Sequence, residues 1–86
     1  MISRNVVITN TSGLHARPAT FFIQKANSYR ASIWIEKDDR KVNAKSLLGI
    51  MSLGIVSGTT VNLVASGSDA EAAIEALEVL LLRDIY

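Results

Sequence analysis

Cysteine is absent from the 86 residues, and histidine and proline occur once each. Without thiols there is no disulfide framework and no Cys-based zinc site. A single imidazole, His15, also excludes a histidine-rich metal centre. Long apolar runs are missing: the stretch "VLLL" near the end is far too short to span a bilayer. The start, "MISRNVVITN", lacks the basic segment and long apolar segment of a secretory signal. Neither sign of charge dominates. Nine basic and eight acidic residues leave a formal net charge of +1, so no basic stripe argues for direct nucleic-acid binding. A soluble, cytoplasmic protein without membrane insertion is the expectation.

Linkers, internal repeats and low-complexity segments are also lacking, so residues 1–86 are expected to form a single domain. Hydrophobic residues make up 49% of the chain, enough for a globular core. A chain this short buries only about 60 to 65% of its unfolded surface, which predicts a stability of roughly 5 to 8 kcal/mol.

Periodicity divides the chain into seven elements. Ile2, Arg4, Val6 and Ile8 share one face of a first strand. From Ala16 to Asn27, the residues Ala19, Phe22, Ile23 and Ala26 fall at helical spacing, with Pro18 in the first turn, where a missing N–H is harmless. "ASIWIEK" alternates, and "DD" at 38 and 39 turns it into "RKVNA" as a hairpin whose central residues call for positive φ. "SLLGIMSLG" predicts a short helix from Ser46 to a stop near Gly54. "TTVNLVASG" places Val61, Leu63 and Ala65 on one strand face. Ser68 and Glu71 form an S-x-x-E capping box before a last helix with Ala73, Ile74, Leu77, Leu80 and Leu81 on its buried stripe. The order β-α-β-β-α-β-α, with three helices to cover the strands, predicts an α+β two-layer sandwich.

The rare residues are concentrated in "TSGLHARPATFF", residues 11 to 22. His15 falls just before a predicted helix start, where free backbone N–H groups and the helix dipole receive anions. A phosphoryl group on its ring could meet the N–H groups of Ala16 and Arg17, and the Arg17 guanidinium could reach the same oxygens. Pro18 pre-sets the helical φ, and Gly13 allows a tight bend. The plainer alternative is a solvent-exposed cap histidine beside an ordinary surface arginine. As an enzyme site the stretch is poor, because no serine, cysteine or carboxylate lies near in sequence to complete a nucleophile and base pair. A carrier nucleophile fits better than a turnover catalyst.

The second distinctive stretch is "NAKSLLGIMSLGI". At 100° per residue, Gly49, Ile50 and Leu53 cluster on one side of the helix, and Leu47, Leu48 and Met51 on another. The second cluster either packs on another element or forms an exposed apolar patch for partners. Ser46 stands where an N-cap belongs, and capping alone would account for it.

The segment "GLHARPA" closely resembles the active-site segment of HPr, the histidine-containing phosphocarrier of the bacterial phosphoenolpyruvate:sugar phosphotransferase system. The resemblance extends over the whole chain in length, element order and the second motif, which looks like the regulatory site of the Gram-positive type. It implies an open-faced β-sandwich, a four-stranded antiparallel sheet with three helices over one face. It further implies that His15 accepts a phosphoryl group from phosphoenolpyruvate by way of Enzyme I and passes it to Enzyme IIA domains of sugar transporters, with Arg17 steering the phosphate. Ser46 matches the serine phosphorylated by HPr kinase/phosphorylase, after which the family binds catabolite control protein A. Leu47, Leu48 and Met51, with Thr20 and Gln24, become partner-binding residues. Leu48 stands where several relatives carry Met, which keeps apolar character but loses a flexible side chain.

On this reading the chain needs no cofactor or stable metal, is a substrate of other enzymes and not an enzyme, and acts as a monomer. Regulatory relatives without the histidine exist, and the retained His15 argues against that branch. Two rival readings remain: a regulatory binding module of the same fold without carrier activity, and an unrelated small α+β interaction domain that binds RNA. The absence of paired aromatics on a strand face speaks against the last.

Overall fold

Alternating burial along the strands organises the molecule, which a computed structural model describes over residues 1–9, 11, 13, 14 and 16–82, without the side chains of Ala16 and Arg17. The elements are β1 (Ile2–Val7), α1 (Ala16–Asn27), β2 (Ser32–Lys37), β3 (Arg40–Asn43), α2 (Leu47–Ser52), β4 (Thr60–Ser66) and α3 (Ala70–Leu82). The strands form one antiparallel sheet in the order β1-β4-β2-β3, so the last strand lies between the first two.

The register brings the apolar sets together. Val6 faces Val61, while Ile33 faces Ala65 and Ile35 faces Leu63. All six are buried on the covered side of the sheet with Phe22 and Ala26 of α1, Ile50 of α2, and Ile74, Leu77 and Leu81 of α3. The fold is thus the expected α+β open-faced sandwich. Arg4, the one charge on the apolar stripe of β1, sits at the sheet edge and donates to Glu78 of α3 at 3.0 Å. Both partners are about one-third exposed, so this pair contributes little, on the order of 0–1 kcal/mol.

Two local expectations change. The capping box would place Ser68 at the N-cap of α3, but the helix begins at Ala70, one residue too late for that register. Asp69 takes the position: its carbonyl accepts from the N–H of Ala73, and its carboxylate accepts from the N–H groups of Arg30 at 2.8 Å and Ala31 at 2.9 Å. An anion at a helix N-terminus that also satisfies two distant donors outcompetes a serine that would satisfy only local ones. The hairpin turn differs as well, since of Asp38 and Asp39 only Asp38 takes a positive φ, 56°.

Candidate functional site: a pinned loop beside an exposed apolar helix

The segment leading to His15 is tied down by backbone bonds on both sides. The N–H of Ile8 donates to the carbonyl of Thr59 and the N–H of Gly58 to the carbonyl of Ile8, while the N–H of Thr9 donates to the carbonyl of Leu81 and its hydroxyl to that of Leu82. Further on, the N–H of Leu14 donates to the carbonyl of Ile55 at 2.9 Å. Gly13 takes φ 65°, and a Cβ there would lie 2.6 Å from the Ile55 oxygen and 2.8 Å from Val56 Cα. Only glycine meets both demands. Leu14 before the histidine and Pro18 and Ala19 after it are buried, so the site residue is flanked by anchored chain.

Helix α1 starts at Ala16, directly after His15, with Pro18 inside its first turn as expected. His15 itself and the side chain of Arg17 lie outside the described residues, so the phosphate geometry expected for them stays an inference from sequence. Thr20 and Gln24 are on the exposed side of α1. Phe21, next to Thr20 in the chain, is exposed as well.

Helix α2 packs beside α1. Ser46 is its N-cap, with extended backbone and a hydroxyl oxygen that accepts from the N–H of Gly49 at 3.1 Å. Gly49 leaves this spot open, since a Cβ there would approach Ser46 Oγ and Val42 Cβ to 3.2 Å. Gly54, with φ 59°, ends the helix region, its N–H donating to the carbonyl of Met51. Ile50 and Leu53 point inward and are buried. Leu47, Leu48 and Met51 are 41%, 82% and 43% exposed, which decides between the two arrangements left open by the helical wheel. They form an exposed apolar face.

Val56 is another exposed apolar residue, 62% exposed and close to Gly13. Sequence periodicity offered no signal for it, because it lies in the irregular stretch between α2 and β4. An exposed apolar face on a helix packed beside α1 can dock another protein.

Comparison with known proteins shows the family. Residues 2–82 match the family described as "PTS HPr component phosphorylation site". The chain belongs to the HPr family. It is 49% identical over 77 residues to the HPr-like protein Crh of Halalkalibacterium halodurans, covering 90% of this chain and 92% of that protein. Among solved structures, the phosphocarrier protein HPr of Bacillus anthracis superposes with a TM-score of 0.91 at 48% identity, over 93% of this chain and 95% of that one. The catabolite repression protein Crh of Bacillus subtilis superposes with a TM-score of 0.78 at 41% identity, over 100% and 99% of the two chains. That Crh crystal structure is described as a swapped dimer, so membership of the HPr family does not carry the expectation of a monomer. These relatives fit the Gram-positive type of HPr. No helix among the described residues is long and apolar enough to cross a membrane.

Proposed function

We propose that this HPr-family chain is a cytoplasmic phosphocarrier, accepting a phosphoryl group on His15 from phosphoenolpyruvate through Enzyme I and delivering it to Enzyme IIA domains. The observation that carries the reading is the exposed face of Leu47, Leu48 and Met51 on α2, beside the helix that begins immediately after His15. A carrier must be docked and released by a series of proteins, and an apolar face of this kind serves several partners in turn. In this reading Arg17 holds the phosphoryl oxygens, the N–H of Ala16 receives one of them, and Pro18 fixes the first turn. Thr20 and Gln24 extend the docking surface along α1. The chain carries the group and the partner enzymes supply the chemistry.

Ser46 is the regulatory position in the same reading. Its phosphorylation by HPr kinase/phosphorylase would place a dianion at the rim of the docking face and favour catabolite control protein A over Enzyme I. A second reading, regulatory module without carrier activity, is favoured by one observation: the similarity to the HPr-like protein Crh. Incubation with phosphoenolpyruvate and Enzyme I separates the two. A carrier gains a phosphate, and a purely regulatory module does not.

A further inference from the structure

Helix α2 spans six residues and has no basic residue in its last turn. A helix this short is not stable alone and leaves its last carbonyls without intrahelical partners. The N–H groups of Leu53 and Gly54 satisfy Ile50 and Met51. The carbonyls that follow are met from another element. Lys37 Nζ donates to the carbonyls of Leu53 at 2.9 Å and Gly54 at 3.3 Å. Arg40 donates through Nη1 to the Ser52 carbonyl at 2.7 Å and through Nη2 to Ser52 Oγ at 2.9 Å. That hydroxyl in turn donates to the carbonyl of Gly49, one turn back.

Lys37 and Arg40 are direct cross-strand partners, the pair that closes the β2–β3 hairpin. Two like charges placed opposite one another disfavour a hairpin. The negative end of α2 compensates, because both cations reach it and bind its carbonyls directly. The inner side of α2 is held by Ile50 and Leu53, and its C-terminal end by these four bonds. The outward side is the apolar face of Leu47, Leu48 and Met51.

We propose that Lys37 and Arg40 are positioning residues: the β2–β3 hairpin clamps the C-terminus of α2 and thereby sets how Leu47, Leu48 and Met51 are presented to a docking protein. The docking role of that face rests on the function proposed above, while the clamp itself rests on the bonds just described. The cations act through the helix, by the bonds to residues 52–54.

The test uses the double variant Lys37→Met/Arg40→Met, which keeps the aliphatic stems and removes the charges, and the rescue variant Lys37→Arg/Arg40→Lys. NMR amide exchange is followed at Leu53 and Gly54, with Leu63 in β4 as reference. The concentration dependence of phosphorylation by Enzyme I is measured in parallel. The clamp predicts exchange about tenfold faster at Leu53 and Gly54 in the Met variant, with Leu63 unchanged. KM for the chain should rise about three- to tenfold at constant kcat, and the rescue variant should restore both. Unchanged exchange at Leu53 and Gly54, equal acceleration at Leu63, or an unchanged KM would each overturn the proposal. If Enzyme I does not phosphorylate the unaltered chain, the carrier reading fails instead, and the exchange comparison still decides whether the hairpin holds the helix.

Discussion

Replacing Gly13 by alanine should damage the segment before His15 more than the same change at Gly54 damages its turn. Two independent costs meet there. A residue with a Cβ held at φ 65° is disfavoured by about 1–2 kcal/mol. The new methyl would also stand 2.6 Å from the Ile55 carbonyl oxygen and 2.8 Å from Val56 Cα, both backbone atoms, and making room for it costs about 1–3 kcal/mol. Together these come to about 2–5 kcal/mol, a large part of the roughly 5 to 8 kcal/mol expected for the domain. For a chain of this size the midpoint of thermal unfolding should fall by at least about 8 °C. Gly54→Ala is the internal control, because Gly54 has a similar φ of 59° with nothing within 4 Å of a Cβ. It should cost only the backbone contribution, about 1–2 kcal/mol. Urea unfolding of both variants, followed by circular dichroism, measures the difference. If Gly13→Ala is no more destabilising than Gly54→Ala, the close approach of the loop to residues 55 and 56 is not what fixes it.

Three further outcomes follow from named contacts. Leu48→Glu, on a side chain 82% exposed, should change stability by less than about 0.5 kcal/mol yet weaken binding to Enzyme I at least about fivefold, as calorimetric titration would show. Asp69 is held below the usual carboxylate range, first by the N–H of Arg30 and then by that of Ala31, while desolvation opposes the shift. Its folded-state pKa is lowered, so its stabilisation is present above the unfolded value of about 4 and is lost as pH falls through the lower folded value. Asp69→Asn should therefore be less stable than the unaltered chain at pH 7, with the gap narrowing on acidification below about pH 4 in denaturation series. Ser46→Asp should slow phosphorylation of His15 by Enzyme I at low salt while circular dichroism stays native, whereas Ser46→Ala should cost about 1 kcal/mol of cap stability without that charge effect.

Much of this architecture is legible in the sequence wherever a single element declares its own period. Ala19, Phe22 and Ala26 mark the buried face of α1, and Ser46 and Gly54 bracket α2. What escapes is decided between elements. Asp69 displaces the Ser68 cap because its acceptors meet N–H groups of Arg30 and Ala31, nearly half the chain away. Val64 is only 5% exposed although it lies on the uncovered face, since the strand order sets it between Ser3 and Trp34. Arg4 is tolerated on an apolar stripe because β1 is an edge strand, where the side chain stays about one-third exposed and meets Glu78 of α3 at 3.0 Å. Likewise, the helical wheel divides α2 into two apolar sides, but only packing tells which one the sheet leaves outside. Val56 joins the candidate site for the same reason, exposed and close to Gly13, which lies far from it in the sequence.

The central claim is that His15 carries a phosphoryl group, and intact-mass spectrometry after incubation with phosphoenolpyruvate and Enzyme I tests it most directly. A phosphoramidate on an imidazole is labile to acid and survives base, unlike a serine phosphate. The expected result is a gain of one phosphate that is lost in acid, retained in base, absent from the folded His15→Ala variant and transferable to an Enzyme IIA domain. Acid-labile phosphorylation persisting in His15→Ala, or none in the unaltered chain while a known carrier is phosphorylated alongside, would contradict it.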